Sequence, residues 1–237
     1  MGKCVEAPAR ILAGILCLLF ALVGAHYYEA SNGESTTAEL AERATPSVVV
    51  IECYVPFMQD GRVSYRIANT AGFVATDKGH ILTVAHGLSQ CTKKRQKNIR
   101  VRFWEDPGKA YRAVLLRIDE KSDAAILQVP SMPSSVLPLE LDLSLQRAGS
   151  PAVAIGHPEL FYWSVSDGVI SADRYWKDSG KHLIQITAPI HPGNSGGPVL
   201  NSKGYVIGVV SFYVNDSTLA FIIPIDTFAY LAKGLYL

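Results

Sequence analysis

The chain has 237 residues, of which 49% are hydrophobic and only 18% charged, enough for one or two domains with a substantial core. Its net charge is +1, and without Lys3, Arg10 and Glu6 the remaining chain carries 20 residues of each sign. That balance excludes a general binder of nucleic acid or polyanions.

The apolar excess begins near the N-terminus. Lys3 and Arg10 precede the uncharged run Ile11 to Ala25, and Val23-Gly24-Ala25 offers small residues to a signal peptidase. Residues 1–25 therefore read as a signal peptide or a membrane anchor. Fifteen helical residues span about 22 Å, short of a hydrocarbon core of roughly 30 Å. His26, Tyr27 and Tyr28 could extend an anchor into the interface, where Tyr is favoured. Both alternatives export the bulk of the chain to a periplasmic or extracellular location, with membrane anchoring through residues 11–25 in the second. Cys4 and Cys17 fall in this segment, leaving Cys53 and Cys91, for which a bridge and two free thiols both remain open.

Residues 26–37 form a linker, polar from Glu29 to Thr37, and the domain proper occupies residues 38–237. Ala38 to Ala44 is a short helical stretch closed by Pro46. The period then changes. Ser47 to Tyr54 is rich in β-branched residues and predicts a strand, followed by strands at Ala71 to Ala75, His80 to Val84, Ile99 to Trp104, Tyr111 to Ile118 and Ala124 to Val129. A second series covers Pro151 to Ile155, Ser164 to Ala172, Leu183 to Thr187, Pro198 to Leu200, Val206 to Phe212 and Ala220 to Pro224. Asp60-Gly61, Lys78-Gly79, Pro107-Gly108, Ser179-Gly180 and Lys203-Gly204 supply turns. Pro130 to Pro138 divides the strands into two equal sets, and Asp226 to Leu235 closes the chain as a short helix. The expectation is an all-β chain of two packed barrels. The basic cluster Lys93, Lys94, Arg95, Lys97, Arg100 and Arg102 reads as a solvated loop running into a strand.

Chemistry concentrates at Gly193-Asn194-Ser195-Gly196-Gly197-Pro198. A serine hydroxyl needs a neighbouring base before it becomes a useful nucleophile, and flanking glycines let the backbone turn sharply around it. The N–H groups of Gly193 and Ser195 could then form an oxyanion hole. The hexapeptide also fits G-x-S-x-G, the elbow of α/β-hydrolases, but that arrangement places the histidine after the serine. All six histidines precede Ser195. The order Asp, His, Ser would need Asp60 or Asp77, which sit among short strands rather than in an α/β pattern. The order His, Asp, Ser remains.

His86 ends the apolar strand Ile81 to Ala85, where a turn can aim it into a cleft. His80 and His182 stand beside turn residues and read as solvent-facing, His157 is a loop residue without an obvious partner, and His191 lines the pocket. Asp123 precedes the apolar strand from Ala124, while its rival Asp119 has the look of a turn residue. No metal site is expected, since His80, His86 and Cys91 lack zinc spacing, and no cofactor is implied.

The chain resembles the HtrA/Deg family of trypsin-like serine proteases from about Ala38 to Leu237. The resemblance lies in Thr70-Ala71-Gly72-Phe73-Val74, Gly79 to His86, Ser122 to Leu127, Ile155-Gly156-His157-Pro158, Ala188 to Pro198 and Phe221-Ile222-Ile223-Pro224. It implies a trypsin-like double β-barrel with the triad His86, Asp123 and Ser195 between the barrels. It further implies that Ser211-Phe212-Tyr213 pairs with extended substrate and that Ile190 and Leu219 line the pocket for the residue before the scissile bond. With no acidic residue in that stretch, small or medium aliphatic residues are expected there. Ala71 stands where the family usually has Ser, the loops around the site such as Val55 to Asn69 are short, and a chain ending at Leu237 would lack the family's PDZ domain. The expected activity is endopeptidase cleavage of exported, unfolded or misfolded polypeptides through an acyl-enzyme. The alternative is a non-catalytic or latent module of the same fold that binds a protein partner.

Overall fold

The structure, a computed structural model, describes residues 35–92, 98–176, 180–214 and 219–235. The segment expected as signal peptide or membrane anchor, residues 1–25, and most of the expected linker lie outside these residues. A helix α1 (Thr37–Ala44) opens the domain under a capping box. The Thr36 hydroxyl accepts the Glu39 N–H, and the Glu39 carboxylate takes the Thr36 N–H at 2.8 Å. Leu40 and Ala44, one turn apart, are the buried face of this helix.

Twelve strands follow among the described residues. The first barrel contains β1 (Val48–Gln59), β2 (Arg62–Val74), β3 (His80–Val84), β4 (Ile99–Phe103), β5 (Asp106–Asp119) and β6 (Ala124–Gln128), closed in the order β1-β2-β3-β6-β5-β4. The second contains β7 (Pro151–Gly156), β8 (Ser164–Trp176), β9 (Lys181–Ile186), β10 (Pro198–Leu200), β11 (Val206–Tyr213) and β12 (Ala220–Pro224), closed in the order β10-β11-β12-β9-β8-β7. All neighbours within the barrels are antiparallel. A short helix α2 (Ser89–Thr92) follows β3, and α3 (Ile225–Leu231) is the last element among the described residues. The irregular segment after β6 joins the barrels at the proline-rich stretch expected from sequence.

Alternation along the strands explains how two barrels adhere. On β1, Val49, Ile51 and Cys53 fill the first barrel while Val48 faces the second. On β3, Ile81 points inward, whereas Leu82 and Val84 join Phe73, Val153, Ile155, Val209 and Ile223 in a shared cluster. Phe228 of α3, wholly buried, docks into that cluster. Because strands of both barrels bury both faces at the junction, their sequences read as continuous apolar runs.

Four expectations need correction. Val55 to Asn69 is not a short loop: β1 and β2 stay paired from Val48↔Phe73 out to Gln59↔Arg62, forming a long two-stranded ribbon. Its outer residues are exposed, so they carry no burial pattern to mark them as strand. Pro107-Gly108 lies inside β5, an exposed stretch that tolerates such residues. His80 is buried, its ring held by Thr76, because the turn before β3 folds it inward. His157 is likewise buried and has three contacts described below. Cys53 and Cys91 form a disulfide across a Cα separation of 5.5 Å, which ties β1 to the segment after His86. Of the basic cluster, Arg100 and Arg102 lie on β4, and Arg102 is ion-paired to Glu52 at 2.8 Å; the lysines and Arg95 fall outside the described residues.

Candidate active site

His86 begins a single 3-10 turn directly after β3, and Asp123 sits in the tight β5–β6 connection. Two backbone links join these turns: the Ala85 N–H donates to the Asp123 carbonyl, and the His86 N–H donates to Asp123 Oδ1 at 2.9 Å. Asp123 adopts φ +59°, a left-handed conformation that Asp enters more readily than most residues. Asp119 binds the Lys121 N–H and the Ser122 hydroxyl, which is the turn-capping role its sequence position suggested.

The His86 ring donates from Nδ1 to Asp123, 2.8 Å from Oδ2 and 3.1 Å from Oδ1. Asp123 Oδ2 also accepts the Ser211 hydroxyl at 2.9 Å. Burial works to raise the Asp123 carboxyl, but the His86 side chain, its charge and backbone, and Ser211 outweigh it and hold the group below the usual carboxylate range. An ionised Asp123 is acceptor only, so it fixes the His86 proton on Nδ1 and leaves Nε2 as the basic nitrogen. The side chain of Asp123 is 16% exposed and that of His86 50%, so the imidazole faces the cleft while its partner is covered.

Ser195 is placed by contacts from both barrels. Its carbonyl accepts the Ala71 N–H at 2.8 Å and the Thr70 hydroxyl at 2.6 Å, binding the serine loop to β2. Gly196 donates to the Val210 carbonyl and has φ +88°; a β-carbon there would run into the Ala71 carbonyl oxygen and the Thr83 hydroxyl. Glycine is therefore required by space as well as by conformation. The Ser195 hydroxyl donates to the Ser211 carbonyl at 3.0 Å, and among the described residues it has no bond to His86.

The turn before Ser195 has Pro192 and Gly193 at its centre, with the Asn194 N–H returning to the His191 carbonyl and Gly193 at φ +101°. That combination defines a type II turn. The Pro192 carbonyl accepts the Glu159 N–H at 2.9 Å. In a trans peptide the next N–H points the opposite way, so Gly193 N–H is directed away from Glu159. Among the described residues neither the Gly193 nor the Ser195 N–H has an acceptor within the chain.

His157 supports this turn from beneath. Its Nε2 meets the Val49 carbonyl at 2.9 Å, its Nδ1 accepts the Trp163 N–H at 3.0 Å, and its backbone N–H donates to the Gly193 carbonyl. Trp163 Nε1 donates to the Val48 carbonyl. Burial lowers the His157 ring to about 4, so it stays neutral with its proton on Nε2.

The remaining residues expected at the site are arranged as follows. Ser211, Phe212 and Tyr213 end β11; Phe212 and Tyr213 pair with Phe221 and Ala220 of β12, while Ser211 sits at a shift in that register. Their other side has no strand neighbour among the described residues. Ile190 is buried in the second barrel's core, in the cluster that contains Ala220 and against which Tyr213 packs. Leu219 is exposed where β12 begins, and its carbonyl accepts the Val214 N–H. The His191 ring lies 6.5 Å from that of Tyr213. Sequence reasoning missed the Thr70 hydroxyl, the Ser211 side chain and His157. Thr70, Ser211 and His157 fall inside motif segments that could have flagged them; of the ring partners of His157, Trp163 is six residues away but Val49 is 108.

Two six-stranded antiparallel barrels with a His–Asp pair and a glycine-flanked serine at their junction define the trypsin-like peptidase class. The family model for the trypsin-like peptidase domain matches residues 70–209, and the chain belongs to that family. It is 36% identical over 197 residues to serine protease HTRA3 of Rattus norvegicus, covering 80% of this chain and 42% of that protein. It is 35% identical over 196 residues to mitochondrial serine protease HTRA2 of Bos taurus, covering 80% and 41%. The chain thus spans less than half the length of these curated relatives. An HtrA-type protease solved with a decapeptide shares the fold at a TM-score of 0.73 and 21% identity, over 85% of this chain and 67% of that one. The serine endoprotease from Yersinia pestis does so at 0.68 and 24%, over 85% and 66%.

Proposed function

We propose that the chain is a serine endopeptidase in which Ser195 is the nucleophile, His86 the general base and acid, and Asp123 the group that orients His86. The observation that carries this reading is the bond from His86 Nδ1 to a buried, ionised Asp123 at the barrel junction, which leaves Nε2 basic. For attack, the Ser195 hydroxyl turns about its Cα–Cβ bond from the Ser211 carbonyl toward Nε2, a change between staggered rotamers. His86 takes its proton as Oγ bonds to the substrate carbonyl carbon. The oxyanion is received by the N–H groups of Gly193 and Ser195, and each such donor is worth about 100- to 1000-fold in rate. His86 then protonates the leaving amine, and water repeats the sequence to release the acyl group.

The acyl side of the substrate lies along the free edge of Ser211–Tyr213, adding a strand through backbone bonds. Ile190 and Leu219 line the pocket for the residue before the scissile bond, favouring small or medium aliphatic side chains. Strand addition needs an extended segment, so unfolded or misfolded polypeptides are the substrates. The Cys53–Cys91 bridge and the apolar run at residues 11–25 both favour an exported, periplasmic or extracellular site of action.

A latent, partner-binding module is the second reading, and the Ser195–Ser211 hydrogen bond favours it. Incubation with a reduced, carboxymethylated protein separates the two. Fragments that appear with the wild type and vanish in Ser195→Ala support the endopeptidase. Tight binding of that substrate without any fragments supports the latent module.

A further inference from the structure

A cleft of about 560 Å³ adjoins the serine loop at Pro192 and Gly193. It is bounded by Pro192 and Gly193, by the β1–β2 ribbon and by the segment after His157. None of its lining comes from β11 or β12. A chain that follows β11 and passes Ser195 therefore leaves toward this cleft.

Its walls have a distinct chemistry. Ile67, Leu160 and Tyr162 line it with exposed apolar surface, Asn69, Glu52 and Glu159 supply oxygen atoms, and neither Lys nor Arg is among the lining residues; His157, which also lines it, is neutral. Glu52 is already balanced: Arg102 binds Oε1 at 2.8 Å and the Tyr54 hydroxyl binds Oε2 at 2.9 Å. Glu159 is exposed, and no ion pair reaches it among the described residues. The Asn69 amide lies 3.5 Å from the Tyr162 hydroxyl, joining the ribbon to the segment after His157 across the cleft.

We infer that this cleft is a specificity site for the leaving segment of the substrate and that it takes a long cationic side chain, Lys or Arg. Glu159 sets the charge preference, and Ile67, Leu160 and Tyr162 cover the aliphatic stem. The stem of Lys or Arg lies readily along apolar walls while its head stays in water near a carboxylate. Successive side chains of an extended segment face opposite ways, so one of the first two leaving residues occupies the cleft. The inference rests on the endopeptidase reading for the direction in which substrate runs.

The test uses Ser195→Ala protein and fluorescent peptides with one common acyl half. The first or second residue of the leaving half is Arg, Ala or Glu, and binding is read by anisotropy. An exposed pair contributes a few-fold against a neutral residue, and replacing attraction by repulsion widens that to about 5- to 10-fold between Arg and Glu. That preference is expected at one of the two positions, is expected to shrink in 0.5 M salt, and is expected to fall below about twofold when Glu159→Gln is added. Glu159→Asp should retain part of it. Equal binding of the three peptides, or a preference untouched by Glu159→Gln, overturns the inference. Fluorophosphonate labelling of the wild type is run in parallel. A protein that discriminates by charge but does not label keeps the cationic site and loses the endopeptidase reading; one that labels without discriminating does the reverse.

Discussion

Replacing His157 with Gln should change how stability depends on pH more than it changes the fold. The His157 ring is 1% exposed and makes both of its bonds, to Val49 and Trp163, in the neutral form. Gln can donate to one and accept from the other but does not titrate. Burial lowers the native ring to about 4, against roughly 6.5 in an unfolded chain. Between these values the unfolded state holds a proton that the native state lacks, so stability rises with pH across that window. His157 therefore contributes nothing to the pH dependence above about 6.5, and the native state progressively loses stability as the pH falls toward 4. The gap corresponds to about 3 kcal/mol at 1.36 kcal/mol per pH unit. Urea unfolding of the wild type and of His157→Gln at pH 7, 6, 5 and 4 measures it, because carboxylates common to both cancel in the difference. The wild-type advantage at pH 7 should shrink by about 3 kcal/mol by pH 4. Parallel stability curves would refute the claim that a buried neutral imidazole supports the serine loop.

Three further outcomes are expected. Asp123→Asn should preserve the turn geometry but disturb the His86 tautomer, lowering kcat on a peptide substrate by about 10⁴-fold with little change in KM. Gly196→Ala should cost more than about 2 kcal/mol in urea unfolding, because a β-carbon at φ +88° meets the Ala71 carbonyl oxygen; a stability within 0.5 kcal/mol of wild type, roughly the effect of an ordinary surface change, would contradict it. Replacing both Cys53 and Cys91 with Ser removes a bridge across 38 residues and should lower stability by about 4 kcal/mol. An unchanged unfolding midpoint would show that the bridge does not form in solution.

The barrels were legible in the sequence because twelve short runs of β-branched and apolar residues coincide with the twelve strands. What escaped was structure without burial. The β1–β2 ribbon beyond Tyr54 is held by backbone pairing, and Phe57, Met58, Val63 and Tyr65 are exposed along it, so no period distinguishes it from a loop. The absence of any histidine after Ser195 excluded the α/β-hydrolase elbow, and the short strands around Asp60 and Asp77 set aside the order Asp, His, Ser, before any geometry was known. The supports of the site were less accessible. His157 reaches Val49 across 108 positions, and Thr70 reaches the Ser195 carbonyl across 125. Such contacts depend on how the barrels close, which local patterns do not record. Ser211 was expected to offer its backbone to substrate, and its hydroxyl bond to Asp123 adds a second contact at the same position.

The central claim, that Ser195 is a nucleophile activated by His86, is tested most directly by intact-protein mass spectrometry after exposure to a fluorophosphonate. The account predicts a single adduct on Ser195 in the wild type, its absence in Ser195→Ala, and strongly slowed formation in His86→Ala. A folded wild-type protein that forms no adduct, or forms one elsewhere that survives Ser195→Ala, would contradict it.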